Sequence, residues 1–132
     1  MAYVQRKIEF IGAPDSNPET KPFWDGCAQN KLLVRRCTKC KKTHWYPRQL
    51  CPFCFSDCEW TEASGKGKIY SFSVMERAPT PYAMAYVTLA EGTTMMTNIV
   101  DCDFKALKIG QDVKLKFVNS ENGPPIPMFA PA

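Results

Sequence analysis

Several absences narrow the reading of this 132-residue chain before any motif is considered. No run of about 18 apolar residues occurs, and the opening MAYVQRKIEFIGAP lacks the apolar centre of a secretory leader, so neither a spanning helix nor export is expected and a cytoplasmic location is. Histidine occurs once, at His44. Without a Ser-His-Asp set, a framed pair of carboxylates or a Gly-rich phosphate loop, the chain offers no catalytic set of its own, and the catalytic residues are expected to be none. The stretch SGKGK is too short for a phosphate loop of the Walker type and lacks the Ser or Thr after lysine. Acidic residues are missing between Asp25 and Asp57, a window that holds Lys31, Arg35, Arg36, Lys39, Lys41, Lys42 and Arg48. That one-sided patch suits phosphates on a nucleic acid or a nucleotide-bearing cofactor, or else a solvated face beside a negatively charged metal–thiolate centre. Glycines number seven against eleven prolines, which favours strands, loops and extended arms over long helices.

What the chain does have is a cysteine cluster. Of seven cysteines, an odd number, four fall in two C-x-x-C pairs inside CTKCKKTHWYPRQLCPFCFSDC. In a reducing compartment that pattern favours bound metal over disulfides. Cys37, Cys40, Cys51 and Cys54 have the layout of a zinc ribbon, in which two hairpin tips each present two thiolates to one tetrahedral ion. Iron in a rubredoxin-like centre takes the same ligands, which leaves an electron carrier as an alternative. Four thiolates close the shell and leave no position for water, so the ion is read as structural, one per chain, supplying folding free energy to a lobe too small to have its own core. His44 and Cys58 lie off the knuckle spacing. Cys27 and Cys102 read as buried structural thiols.

Around this cluster the texture changes twice. Residues 1–19 read as an extended arm with apolar Val4, Ile8, Phe10 and Ile11, followed by the turn-rich GAPDSNP. A short helix is expected next, with Pro22 in its first turn and Phe23, Trp24 and Cys27 on one face. LLVRRC is a strand into the first cysteine pair, and THWYPRQLC leads back to the second. Short strands then follow at 67–75, 82–90, 93–101, 112–118 and, last, 127–130, separated by glycine turns. Alternation is plain in Lys114-Leu115-Lys116-Phe117 and slips by one residue among Ile69, Phe72 and Val74, as at a bulge. DFKALKIG reads as one helical turn with a glycine cap. The expected architecture is mainly β: an arm and short helix (1–34), a rubredoxin-like zinc ribbon (35–60) and a small Greek-key barrel of the OB type with a Pro-rich tail (61–132). An SH3-like barrel is the competing topology.

Taken in order, KPFWDGCAQNKLLVRRCTKC, YPRQLCPFC, Trp60, SGKGKIYSFSV, PYAMAYVTLAEG and LKIGQDVKLKF resemble a family of small proteins in which a zinc ribbon precedes an OB-fold and which are associated with acyl-CoA enzymes. The similarity covers about residues 20–118, with Lys41 and Phe55 standing after the cysteine pairs where the family often has glycine. It extends to the small zinc-finger subunits of bacterial thiolases, including those cleaving benzoylsuccinyl-CoA in anaerobic toluene breakdown. The resemblance implies a non-catalytic accessory subunit that partners a thiolase-like large subunit and helps hold an acyl-CoA, with the catalytic residues on the partner.

On that reading Phe23, Trp24, Trp45 and Tyr46, together with the tail NGPPIPMFAPA, are candidate docking surfaces. Lys41 and Arg48 are candidates for the CoA phosphates, and Arg77 and Tyr82 for the acyl or pantetheine part. Self-packing of the helix and ordinary solvation of Arg77 are the alternatives. A different class of function, single-stranded nucleic-acid binding, is favoured by the basic patch with Trp45 and Tyr46. It is disfavoured by the placement of the basic residues on the ribbon, while the strand region carries Met84, Met95 and Met96, and by a pI of 8.7. No membrane partner is expected.

Overall fold

Asn17 sets the entry to the only α-helix among the described residues. The computed structural model describes residues 3–10, 12 and 17–132, so Ile11 and most of the GAPDSNP turn lie outside them. The Asn17 carbonyl accepts from the Thr20 and Lys21 amides at 3.1 and 2.9 Å, and its side-chain oxygen accepts from the Glu19 amide at 3.0 Å. Helix α1 (Lys21–Ala28) follows, with Pro22 in the first turn, where an amide hydrogen has no helical partner to lose. It ends in a Schellman motif: Asn30 adopts φ 59°, its amide donates to the Cys27 carbonyl at 3.0 Å, and the Lys31 amide donates to the Gly26 carbonyl at 2.9 Å. Phe23 and Cys27 are buried as the spacing predicts, and Trp24 is half-buried. Gly26 is the unforeseen member of that face. A Cβ on it would stand 2.9 Å from Leu33 Cγ, so its bare backbone lets α1 lie directly on the next strand.

Strands β1 (Leu33–Cys37), β2 (Thr43–His44) and β3 (Cys58–Glu62) form an antiparallel sheet in the order β2-β1-β3. The sequence CEWTE carries no apolar alternation, which is why β3 is not legible in it; its strand form comes from pairing with β1 along five registered positions from Leu33–Glu62 to Cys37–Cys58. Of THWYPRQLC only Thr43–His44 is strand.

Strands β4 (Lys66–Met75), β5 (Tyr82–Leu89), β6 (Thr94–Ile99), β7 (Asp112–Val118) and β8 (Ile126–Pro131) close into a barrel in the order β4-β5-β6-β8-β7, with β7 returning to β4. β6 and β8 are parallel and the other pairs antiparallel, the Greek-key closure of an OB-fold, which decides against the SH3-like alternative. The slip expected in β4 is a register shift between Ile69 and Ser71. DFKALKIG contains a 3-10 turn at Phe104–Ala106, started by the Asp103 carboxylate accepting from the Lys105 amide at 3.0 Å. Its cap is Leu107 in extended conformation; Gly110, at φ 86°, serves the next turn and donates its amide to the Ile69 carbonyl at 2.8 Å.

The tail is not a free docking segment. Ile126–Pro131 is the closing strand β8, registered along its length with β7, and Phe129 is completely buried. The arm also lies on the barrel: the Phe10 amide donates to the Glu121 carbonyl at 2.9 Å and the Glu121 amide to the Ile8 carbonyl at 2.7 Å. Phe10 meets Trp24 edge-on at 4.9 Å, and Tyr3 meets Phe104 at 5.8 Å. One core then runs through helix, ribbon and barrel, joining Phe23, Cys27, Leu32 and Val34 to Ile69, Val87, Ile99 and Phe129. No helix among the described residues is long and apolar enough to cross a membrane.

The barrel seam gives a direct test. A Cβ on Gly67 would stand 2.6 Å from Val87 Cγ1 and 2.9 Å from the Thr88 carbonyl oxygen, which is backbone paired across β4 and β5. Gly67→Ala is expected to destabilise the chain by about 1–3 kcal/mol in urea unfolding, as overpacking of a fixed seam does.

Candidate functional site

Two matching knuckles build the metal centre. In the first, the Lys41 amide donates to the Cys37 carbonyl at 3.2 Å and the Cys37 amide to the Lys42 carbonyl at 2.9 Å. In the second, Phe55 and Cys51 make the equivalent bond at 2.8 Å, and Cys51 and Ser56 the other at 2.9 Å. Each loop can turn this tightly only because the residue after its second cysteine is left-handed, Lys41 at φ 66° and Phe55 at φ 61°. These are the two positions where the resembling family often has glycine. A side chain there costs about 1–2 kcal/mol, so the knuckles hold a conformation their own sequence disfavours.

The four sulfurs of Cys37, Cys40, Cys51 and Cys54 all lie within 4.8 Å of one another. Cys37 and Cys54 sulfurs are 3.5 Å apart, and those of Cys40 and Cys51 are 3.7 Å apart. A tetrahedral ion with metal–sulfur bonds of about 2.3 Å requires sulfur separations of about 3.8 Å, so the donors fit such an ion. Amides of Lys39 and Cys40 donate to Cys37 Sγ at 3.3 Å each, and that of Phe53 to Cys51 Sγ at 3.4 Å. The thiols are electrostatically divided. The Ser56 hydroxyl and amide hold Cys54 down at about 6, and the neighbouring Cys37 thiol helps. Burial raises Cys37, but the Cys40 and Lys39 amides outweigh it and leave it lowered. At Cys40 the Lys42 amide is outweighed by burial and the adjoining thiols, which push it up to about 11. Four sulfurs this close cannot all be anions without a cation among them, and a divalent ion supplies that charge.

His44 and Cys58 stand outside this set. His44 is buried; its Nε2 accepts from the Arg48 amide at 3.2 Å, and its Nδ1 has no partner. Burial, with Arg35 and Arg48 nearby, holds its pKa below the usual 6.5. Cys58 is half-buried opposite Cys37 in the β1–β3 pairing, with burial raising its thiol. Cys27 is enclosed, and burial pushes it up to about 12; Cys102 is half-buried and raised by burial and Asp103.

The basic patch is partly internal wiring. Arg35 is buried, donates from Nε to the Arg48 carbonyl and from Nη2 to the Gln49 carbonyl at 3.1 Å each, and lies over the Trp60 ring at 4.9 Å. Arg36 Nε donates to the Lys41 carbonyl at 3.2 Å. Lys41, Arg48 and Arg77 are exposed.

A second feature lies between α1 and the barrel. Phe23, Trp24, Trp45, Tyr46 and Tyr82, named separately from the sequence, line one groove of about 280 Å³, whereas Lys41, Arg48 and Arg77 are not among its lining residues. Phe23 is 2% exposed and packed against Trp24 and Trp45 at 4.8 and 5.0 Å, so its contacts are with the chain's own core. Tyr46 is 48% exposed and Trp24 and Trp45 are half-buried. Arg6 also lines the groove and was not among the sequence candidates, because beside Lys7 it has the look of an ordinary solvated basic pair in the arm.

The ChsH2 rubredoxin-like zinc ribbon model matches residues 24–61, and the ChsH2 C-terminal OB-fold model matches residues 60–118. A DUF35 domain-containing scaffold protein of Methanothermobacter thermautotrophicus is 35% identical over 75% of this chain and 81% of its own. The chain belongs to the DUF35 family. A DUF35 chain from the solved Ltp2-ChsH2(DUF35) aldolase superposes with a TM-score of 0.81 at 32% identity, over 90% of this chain and 98% of that one. A probable enoyl-CoA hydratase alpha subunit of Thermomonospora curvata is 33% identical over 90% of this chain, which spans only 39% of that larger protein. The DUF35 fold thus accounts for both halves of the architecture and for the cysteine set.

Two outcomes follow from the knuckles and from His44. Cys37→Ser or Cys51→Ser is expected to release the metal and unfold the ribbon, while Phe55→Gly retains metal and shifts the urea midpoint upward by up to about 1 kcal/mol of stability; metal content and unfolding curves check both. His44 binds its proton more weakly folded than unfolded, so its contribution is present above about 6.5 and lost as pH falls below that value. The acid-side loss of stability is expected to shrink in His44→Gln, measured with metal content followed in parallel.

Proposed function

We propose that the chain is a non-catalytic accessory subunit of a thiolase-type acyl-CoA enzyme, stabilised by one structural zinc and assembled with a larger catalytic subunit. The observation carrying this reading is the likeness over nearly the whole chain to the DUF35 chain of an aldolase assembly. Hydratase alpha subunits among its relatives support the wider acyl-CoA setting. The chemistry of the centre agrees: four thiolates fill a tetrahedron and offer no open position for substrate. What the chain supplies is then surface. The exposed Lys41 and Arg48 on the ribbon give the CoA phosphates cations to meet, Arg77 sits in the exposed β4–β5 loop, and Tyr82 lies at the start of β5. Trp45 and Tyr46, with Trp24 behind them, present aromatic area of the kind that anchors protein interfaces. A role in anaerobic breakdown of aromatic compounds such as toluene is the narrowest form of the proposal and rests on the resemblance to benzoylsuccinyl-CoA thiolase subunits.

Purification of the untagged chain from its native cell tests the reading. A thiolase-sized partner is expected in fixed ratio, with acyl-CoA cleavage requiring both chains. A lone monomer that binds oligonucleotides with steep salt dependence contradicts it.

A further inference from the structure

We propose that the groove between α1 and the barrel is a binding site for a small organic carboxylate with an apolar body, held by Arg6 and Asn98. Three observations carry this. First, among the described residues Arg6 supplies the one charged side chain in the lining, and no acidic one lines the groove. A cation at the rim of an apolar cavity selects for an anion. Second, Arg6 is placed but not satisfied. Its Nη2 donates to Asn98 Oδ1 at 3.0 Å and its guanidinium lies over the Tyr82 ring at 3.9 Å, while its Nε is buried without a partner. Asn98 spends its acceptor on Arg6, which leaves the Asn98 amide nitrogen as a donor beside it. Beside the hydroxyls of Thr97, Tyr46 and Tyr82, which donate or accept, the Arg6 guanidinium and the Asn98 amide nitrogen only donate, and a carboxylate, which only accepts, is the matching group for that pair. Third, most of the remaining wall is aromatic and thioether, including Trp24, Trp45 and Met95, and the volume of about 280 Å³ suits a phenyl or short branched body and is too small for a nucleotide.

The site is built from elements far apart in sequence: Arg6 from the arm, Asn98 from β6, the tryptophans from α1 and the ribbon loop. It rests on this chain's own residues and not on the identity of a partner subunit, and its failure leaves the accessory-subunit reading standing.

Tryptophan fluorescence of the 132-residue, metal-loaded chain reads the site, because two of its three tryptophans line the groove. Titration with 3-phenylpropanoate is expected to give a saturable change that 3-phenylpropanamide, equal in shape but uncharged, reproduces at least about tenfold more weakly, as loss of a charge-assisted pair does. Arg6→Gln is expected to weaken the carboxylate by a similar factor and leave the amide unchanged. Arg6→Lys should restore part of the affinity, and Lys108→Gln, at an exposed lysine outside the groove, should have no effect. Thermal unfolding of each variant confirms that the fold persists. Equal affinity for acid and amide, unchanged binding in a folded Arg6→Gln chain, or no saturable response overturns the proposal. If Arg6→Gln alters only association with a large subunit, the groove seats protein and the carboxylate assignment is equally overturned.

Discussion

Closing the two cysteine knuckles on one ion is the constraint on which the other parts of this molecule depend. The first knuckle sits at the C-terminal end of β1 and the second in the loop just before β3, and both carry a non-glycine residue in the left-handed region. Free chain would relax out of that conformation, and its four sulfurs could not all become thiolates at this spacing without a cation among them. An ion bonded to all four sulfurs removes both obstacles. It thereby fixes the β2-β1-β3 sheet, whose strands are too short and too polar to stand alone.

That sheet in turn is not an independent lobe. Leu32 and Val34, next to the first knuckle, are buried in the same core as Phe129 and Val87 of the barrel, and α1 covers the junction with Phe23 and Cys27. Arg35 ties the loop before the second knuckle back to β1 through two carbonyls, and its stacking on Trp60 adds β3 to the bracket. Metal, sheet, helix and barrel are therefore mechanically continuous. Trp24 and Trp45 are packed against that core and also line the groove between α1 and the barrel.

Much of this was legible in the sequence because the signals are local. C-x-x-C spacing marks the ligands, Pro22 marks a helix start, and two-residue alternation marks β7; the slip at Ile69 announces the irregularity in β4. What was not legible depends on contacts between distant segments. CEWTE becomes a strand only beside β1, whereas the strand expected at 127–130 is present and runs Ile126–Pro131, its closing place between β6 and β7 being the part that local sequence does not carry. Two prolines in that strand disfavour it locally, and the register with β7 overrides that preference. The groove was half legible: its aromatics drew attention one by one, but Arg6 reaches them only because the arm folds back over the barrel.

The central claim is that the ion is framework and that function resides on the surfaces it holds in place. X-ray absorption at the metal edge of the purified chain, recorded with and without an acyl-CoA, addresses this most directly. The account predicts zinc in a shell of four sulfurs at about 2.3 Å, unaltered by the thioester. A shell with an oxygen or nitrogen ligand, or one that changes when the thioester is added, would contradict it.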